Sequence, residues 1–187
     1  MGDLILILAG ACLVNNLVFD YMLGVDPVLA ATRRTEPAAD LALLMILALP
    51  WIALASHLLQ NHVLVPLALE HLQLLCLVLL APALVFAAGN TVARFNTALH
   101  ERIAPFMPLV AVNSTILGVA LLNAGPDAGI AVAFVTGIGF AAGLAVALLI
   151  VAAIREKVSI ADIPAPFRGV AILLVTLGLV SMAFMGF

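Results

Sequence analysis

The sequence contains little charge and few aromatic residues. Of its 187 residues, 9% are charged and 6% are aromatic, whereas 66% are hydrophobic and the mean hydropathy is +1.31. A soluble domain is about half apolar and about a quarter charged. The scarcity of charge therefore excludes a soluble globular domain and indicates a chain that lies in a lipid bilayer.

Cysteine and basic residues are also scarce. The two cysteines, Cys12 and Cys76, lie inside apolar segments without metal-binding spacing, so we expect neither a disulfide nor a metal site from them. The net charge of -3 and the absence of a Lys/Arg run exclude a nucleic-acid-binding surface. No nucleophile–base pair, phosphate-binding loop or dinucleotide fingerprint is present, so the chain is not predicted to be catalytic alone.

Long apolar runs predict six transmembrane helices in one membrane domain, residues 1–187. A helix needs about 20 apolar residues to cross the hydrocarbon core. Polar and proline-containing breaks separate the runs. The predicted spans cover residues 4–24, 39–59, 63–89, 103–123, 129–153 and 167–186.

The positions of the basic residues predict the orientation. All seven Lys and Arg residues follow span one, three or five, which places them on one side. The positive-inside rule makes that side cytoplasmic and puts both termini outside. Two halves of three spans would then have opposite orientations, as in an inverted repeat. Residues 14–16 and 112–114, VNN and VNS, echo each other, although so short an echo also arises by chance.

Several polar residues interrupt the predicted spans. Asn15, Asn16 and Asp20 lie in span one, and Asn113 and Ser114 lie in span four. One interpretation is structural: the asparagines hydrogen-bond across helices, and Asp20 reaches the headgroup region. The other is functional: the amides and Ser114 line a site near the bilayer midplane where helices break. The residues alone leave both open.

Other motifs favour packing. Gly139 and Gly143 have the small-xxx-small spacing that lets helices approach closely. The four histidines are scattered without metal-ligand spacing, although adjacent Glu70 and His71 have the chemistry of a proton relay or of a solvated pair.

The chain resembles a known family of membrane electron-transport subunits. The resemblance is carried by LVNN at 13–16, LGVDP at 23–27, NSTILGVALLN at 113–123, AIRE at 153–156, DIPAPFRG at 162–169 and the closing MAFMGF. These blocks are similar to the RnfA/RsxA subunit of the Rnf complex, whose relative is the NqrE subunit of a sodium-pumping NADH:quinone oxidoreductase. The resemblance runs nearly end to end.

The resemblance implies a fold, a partner and a cofactor. It implies six transmembrane helices in a three-plus-three inverted repeat with both termini outside, in the bacterial inner membrane. It also implies an RnfE/NqrD-type partner in the opposite orientation, together with other Rnf/Nqr-like subunits. The two paired subunits of the family hold a [2Fe–2S] cluster at the midplane, and electron transfer drives the movement of Na⁺ or H⁺.

This sequence departs from the family at the cluster ligands. Asp26 stands where the family has the cysteine of LGxCP, and Ser114 stands where it has the cysteine of TNC. Gly89 stands where the family tends to carry an acidic residue. Because iron–sulfur clusters prefer thiolate ligands and a hydroxyl is a poor substitute, we expect no cluster with two ligands from this chain. Asp20 and Asp26 are the candidates for an ion or proton site instead.

These features predict a membrane subunit of an Rnf/Nqr-like complex that takes part in electron transfer coupled to ion translocation. The alternative is a cluster-free paralogue that acts as a membrane scaffold or as a small ion transporter without a redox role.

Overall fold

The computed structural model of the protein describes residues 2–123, 129–162 and 164–185. All regular structure within these ranges is helical. Short π-helical turns, Gly10–Val14 and Gln60–Leu64, extend the first and third α-helices. The α-helices of the described residues are α1 Gly2–Ala9, α2 Val25–Ala31, α3 Thr35–Leu59, α4 Gln73–Phe95, α5 Thr97–Ile103, α6 Met107–Ala111, α7 Ser114–Leu122, α8 Ile130–Ser159 and α9 Val170–Phe184.

The longest helices have the dimensions of membrane spans. Within the described residues, Thr35–Leu64, Glu70–Phe95 and Ile130–Ser159 are each long and apolar enough to cross a bilayer. A fourth span results if Thr97–Ala111 and Ser114–Leu122, which are bent by 69°, are counted together. Leu4–Val14 and Val170–Phe184 are shorter apolar helices. These are the properties of an all-α integral membrane protein.

The first predicted span is not a continuous helix. The prediction of helix over 4–24 is wrong after Val14, because the chain is non-helical from Asn15 to Gly24 before α2 begins. The π-turn ends where the Asn15 N–H donates to the Gly10 carbonyl at 2.7 Å. The Asn16 side chain then offers the following N–H groups an acceptor outside a helix.

The fourth predicted span is also interrupted. Helical structure begins earlier than residue 103, at Thr97, and it breaks at Val112 and Asn113 between α6 and α7. Asn113 has extended backbone angles, φ -128° and ψ 139°, and its side chain accepts the Thr115 N–H. An asparagine that caps a helix in this way starts a new helix instead of continuing the old one.

The remaining predicted spans correspond to helices whose ends differ from the predicted ones. Predicted spans 39–59, 63–89 and 129–153 correspond to Thr35–Leu64, Glu70–Phe95 and Ile130–Ser159. The last, 167–186, corresponds to Val170–Phe184, and its predicted end at Gly186 lies outside the described residues. The predicted break after Asn123 likewise falls on residues 124–128, outside the described ranges.

Two helices form the centre of the fold. The contact between α3 and α8 is the most extensive in the described chain. A Cβ at Gly137 of α8 would lie 2.8 Å from the Pro50 Cα and 3.2 Å from the Leu49 carbonyl oxygen, so α3 approaches within backbone contact. The first helical segment packs along α8 at Gly139 and Gly143, as their spacing predicted.

The periphery is much less buried than this centre. Only 22% of the apolar window of α4 is buried, against 56% for α3 and 61% for α8. The exposed face of α4 carries large apolar side chains, among them Leu75, Leu79 and Phe86. In a bilayer this face meets lipid or another membrane subunit.

Candidate functional site

The two breaks meet in space. The Gly24 N–H, at the end of the first break, donates to Ser114 Oγ at 3.1 Å, at the start of α7. Leu23 packs against Gly118, where a Cβ would overlap the leucine side chain. Ser114 Oγ also lies 3.4 Å from Asn113 Oδ1, as a donor. Residues 90 positions apart in the chain therefore form one site.

Gly24 makes this close approach possible. Its backbone has φ +81°, in the left-handed region that favours glycine. A Cβ at Gly24 would overlap the Thr115 hydroxyl. Nearby Met22 also has a positive φ of 54°, which is uncommon for a residue other than glycine. The first break thus contains two residues with positive φ, one of which, Gly24, contacts the start of α7.

Buried polar atoms without protein partners mark the second break. Asn113 is 4% exposed and Thr115 is fully buried. The Asn113 Oδ1 accepts the Thr115 N–H at 2.9 Å, but Asn113 Nδ2 and Thr115 Oγ1 have no hydrogen-bond partner among the described residues. A buried polar group left without a partner costs about 1–3 kcal/mol.

Asn16 fastens the first break to α8. Its Nδ2 donates to the Gly143 carbonyl at 2.9 Å and to the Cys12 carbonyl at 3.0 Å. Its Oδ1 accepts the N–H groups of Val18 and Phe19 at 3.0 and 3.4 Å. Asn16 therefore makes the cross-helix hydrogen bond that the structural interpretation expects of an asparagine in span one. Asn15, in contrast, is exposed.

The two candidate carboxylates lie in different surroundings. Asp26 is exposed in the first turn of α2, two residues after the Gly24 that contacts Ser114. Asp20 is exposed at the other side of the break, beside Ser181 and Phe184 of α9. Asp26 thus lies two residues along the chain from the meeting point of the breaks, whereas Asp20 lies beside α9.

Cavities adjoin both breaks. A cavity of about 280 Å³ separates the second break from α4, and Asn113, Ser114, Pro82 and Leu117 line it. A smaller cavity of about 20 Å³ lies between the first break and α9, beside Asn16 and Asp20. Asp26 and Ser114 are both exposed on the surface of the chain.

Gly89 sits in a place that other side chains already fill. A Cβ there would overlap the thioether end of Met107. His100 Nδ1 lies 3.0 Å from the Gly89 carbonyl oxygen. At the position where the family resemblance implies an acidic side chain, the flexible end of Met107 would therefore have to move to admit one.

A second polar cluster, around His57, was not predicted from the sequence. His57 of α3 is buried. Its Nδ1 lies 3.3 Å from the Asn123 carbonyl oxygen and 3.1 Å from Asn61 Nδ2. Gln60 Oε1 and Asn123 Nδ2 nearby are buried without a partner among the described residues. The signal was the i, i+4 spacing of His57 and Asn61, which places both on one helix face.

The fold and the two meeting breaks define an integral membrane protein with interrupted helices, a class whose sites lie where helices break. Comparison with known proteins makes this specific. The family described as "Rnf-Nqr subunit, membrane protein" matches residues 4–187. The chain belongs to this family.

Curated relatives agree over the whole chain. The A subunit of the ion-translocating oxidoreductase complex of Azotobacter vinelandii is 42% identical over 188 aligned residues, covering 100% of this chain and 97% of the relative. The protein of the same description from Pseudomonas aeruginosa PAO1 is also 42% identical with the same coverage. That of Pseudoalteromonas atlantica is 35% identical, again over 100% of this chain and 97% of the relative. The match to RnfA-type subunits is confirmed.

The donor atoms at the site do not fit an iron–sulfur cluster. Ser114 Oγ already accepts the Gly24 N–H, and a hydroxyl is a poor ligand where the cluster requires a thiolate. Asp26 offers a hard carboxylate, and both cysteines lie elsewhere. Across the described residues, no group of three or more His, Cys, Asp or Glu could hold a metal ion.

Proposed function

We propose that this protein is the A-type membrane subunit of an Rnf-like ion-translocating oxidoreductase complex, where it takes part in electron transfer coupled to the translocation of Na⁺ or H⁺. The observation that carries the proposal is full-length similarity to relatives with that description. The meeting of two helix breaks at Gly24 and Ser114 supports it. The chain is not an enzyme alone and acts as one component of the assembly.

The proposed architecture is a six-span inverted repeat in the bacterial inner membrane. The arrangement of the helices supports it: the first and fourth segments are both broken, α3 and α8 share the centre, and the breaks adjoin α9 and α4, respectively. The seven basic residues on one side support termini that lie outside.

The proposed membrane partner is an RnfE/NqrD-type subunit in the opposite orientation. Asp26 and Ser114 are exposed on the surface of this chain, and the α4 face beside the second break is largely unburied. A partner that covers this surface would enclose the polar atoms at the breaks. Its own residues would then complete the site.

We further propose that Asp26 binds a cation or carries a proton, and that Asp20 is a separate site for the same ion. An ionisable side chain within the membrane region is expensive and is usually tied to function. Asn15, Asn16 and Asn113 form the polar frame around the breaks, in which Asn16 and Asn113 hold the backbone. The two carboxylates are then the titratable groups of this frame.

Alanine at both carboxylates tests this role. We expect Asp20→Ala/Asp26→Ala to lower the rate of Na⁺ or H⁺ movement by about tenfold, a barrier change of about 1.4 kcal/mol. The measurement is ion uptake into inverted membrane vesicles during electron flow through the complex. Glu101→Ala/Asp162→Ala, which removes the same two negative charges at exposed positions, is the control. Unchanged ion movement in the double variant would refute the proposed site.

The complex itself tests the proposed function. We expect the tagged chain, purified in mild detergent from its native membrane, to carry along an RnfE/NqrD-type subunit and flavin-bearing subunits. Iron and acid-labile sulfide should be counted in the same sample. Because the donor atoms do not fit, we expect no iron at this interface. Two iron atoms per interface would show that a cluster binds despite these donor atoms. They would not contradict the role in the complex.

The alternative function is favoured by the same replaced ligands. A cluster-free paralogue would use the fold as a scaffold or as a small ion transporter, without electron transfer. Purification of the chain without any redox subunit would support this alternative. It would overturn the proposed role in the oxidoreductase complex.

A further inference from the structure

A cavity lined by two arginines lies at one end of the molecule, away from the breaks. It measures about 440 Å³ and lies between the end of α8 and the start of α9. Its lining is mixed: Arg155, Arg168 and Ser159 contribute polar groups, and Val158 and Ile172 contribute apolar ones. No part of the helix breaks belongs to it. The cavity has no role in the function proposed above.

The charge around the cavity is positive. Arg155 is half-buried and anchored at Nη1, which donates to the Leu29 carbonyl at 3.0 Å and to Thr32 Oγ1 at 3.2 Å. A guanidinium has five N–H donors, so further donors are available for a ligand. Arg33 adds a further positive charge near Arg155.

Arg168 adds a second guanidinium on the other wall. Its ion pair with Asp162 is long, 3.9 Å, and both side chains are well exposed. Exposed pairs of this kind contribute little to stability. The pair therefore opposes the binding of a phosphate only weakly. A phosphate accepts several N–H bonds from arginine.

The position of the cavity selects a lipid over a soluble anion. The arginines lie where the apolar helix α8 ends and α9 begins, which is the level of headgroups in a bilayer. Below this level the outward face of α9 is apolar, with Val170 55% and Leu174 49% exposed. A phospholipid whose phosphate is held by the arginines would have its acyl chains along this face.

We propose that the cavity binds the phosphate of an anionic phospholipid headgroup. Arg155 and Arg168 hold the phosphate, and the apolar side chains of α9 contact the acyl chains. Basic pockets between transmembrane helices are typical sites for such headgroups. This inference is independent of the electron-transfer role, because it involves neither the breaks nor the carboxylates.

Native mass spectrometry of the full-length chain and of the purified complex tests the proposal. The probes are phosphatidylglycerol and phosphatidylcholine at equal concentration. We expect tighter binding of phosphatidylglycerol. Each arginine should contribute about fivefold, from about 1 kcal/mol per basic residue, so Arg168→Gln should weaken binding about fivefold and Arg155→Gln/Arg168→Gln about 25-fold.

Controls separate binding in this cavity from a general effect of positive charge. Arg94→Gln makes the same charge change at the end of α4 and should leave the preference unchanged. Arg168→Gln provides the test if the double variant does not fold, because the Arg168 side chain is 67% exposed. Equal binding of both lipids would overturn the proposal. Displacement of phosphatidylglycerol by equimolar inorganic phosphate, or its exclusion from the complex by a partner subunit, would also overturn it.

Discussion

Replacing Gly24 with alanine is expected to lower the free energy of unfolding by about 3 kcal/mol. Two costs combine. An L-residue with a left-handed backbone costs about 1–2 kcal/mol, and forcing an extra methyl group into a packed region costs about 1–3 kcal/mol. At Gly24 the backbone has φ +81° and the added Cβ would overlap the Thr115 hydroxyl. The measurement is denaturant unfolding in detergent.

The contact with the Thr115 hydroxyl supplies the control for this prediction. Adding Thr115→Ala to Gly24→Ala should restore part of the stability, since the Thr115 hydroxyl has no hydrogen bond to lose among the described residues. Equal losses for Gly24→Ala with and without Thr115→Ala would show that the breaks do not touch at Thr115.

Asn16→Ala is expected to destabilise the protein by about 3 kcal/mol as well. The substitution removes the donor to the Gly143 and Cys12 carbonyls and the acceptor for two backbone N–H groups. Each buried group left without a partner costs about 1–3 kcal/mol. The first break would lose its attachment to α8, so loss of stability should accompany increased hydrogen exchange in residues 15–24.

The neighbouring amide serves as the control for Asn16. Asn15 is exposed, so Asn15→Ala should change the free energy of unfolding by less than about 0.5 kcal/mol. Both variants remove the same amide from consecutive positions. A similar effect of the two would contradict the assignment of Asn16 as the residue that holds the break.

The largest difference between the predicted and the observed helices concerns the first span. The run from 4 to 24 is apolar enough to predict a continuous helix, and its two asparagines are compatible with either packing or a break. The Asn16 side chain competes with the helix for the N–H groups of Val18 and Phe19, and it does so because α8 supplies an acceptor for its amide. That acceptor lies 127 residues away, beyond the reach of any local pattern.

The candidate site was predicted in its residue types more than in its geometry. Asn113, Ser114 and Asp26 are polar residues in apolar surroundings, and this made them candidates. That Gly24, two residues before Asp26, contacts Ser114 while Asp20 lies beside α9 depends on how these segments pack. His57 was missed because burial of a histidine near the end of a span cannot be distinguished, in sequence, from exposure to the interface.

Hydropathy, charge placement and residue identity are properties of the chain and need no coordinates. They were enough to predict an all-helical membrane protein of the Rnf-Nqr family, with its basic residues on one side and its cluster cysteines replaced. The positions of the helix breaks, the polar groups that meet there and the cavity shared by two arginines became known from the folded structure. These features depend on hydrogen bonds and contacts between residues far apart in the chain, such as Gly24 with Ser114 and Arg155 with Leu29.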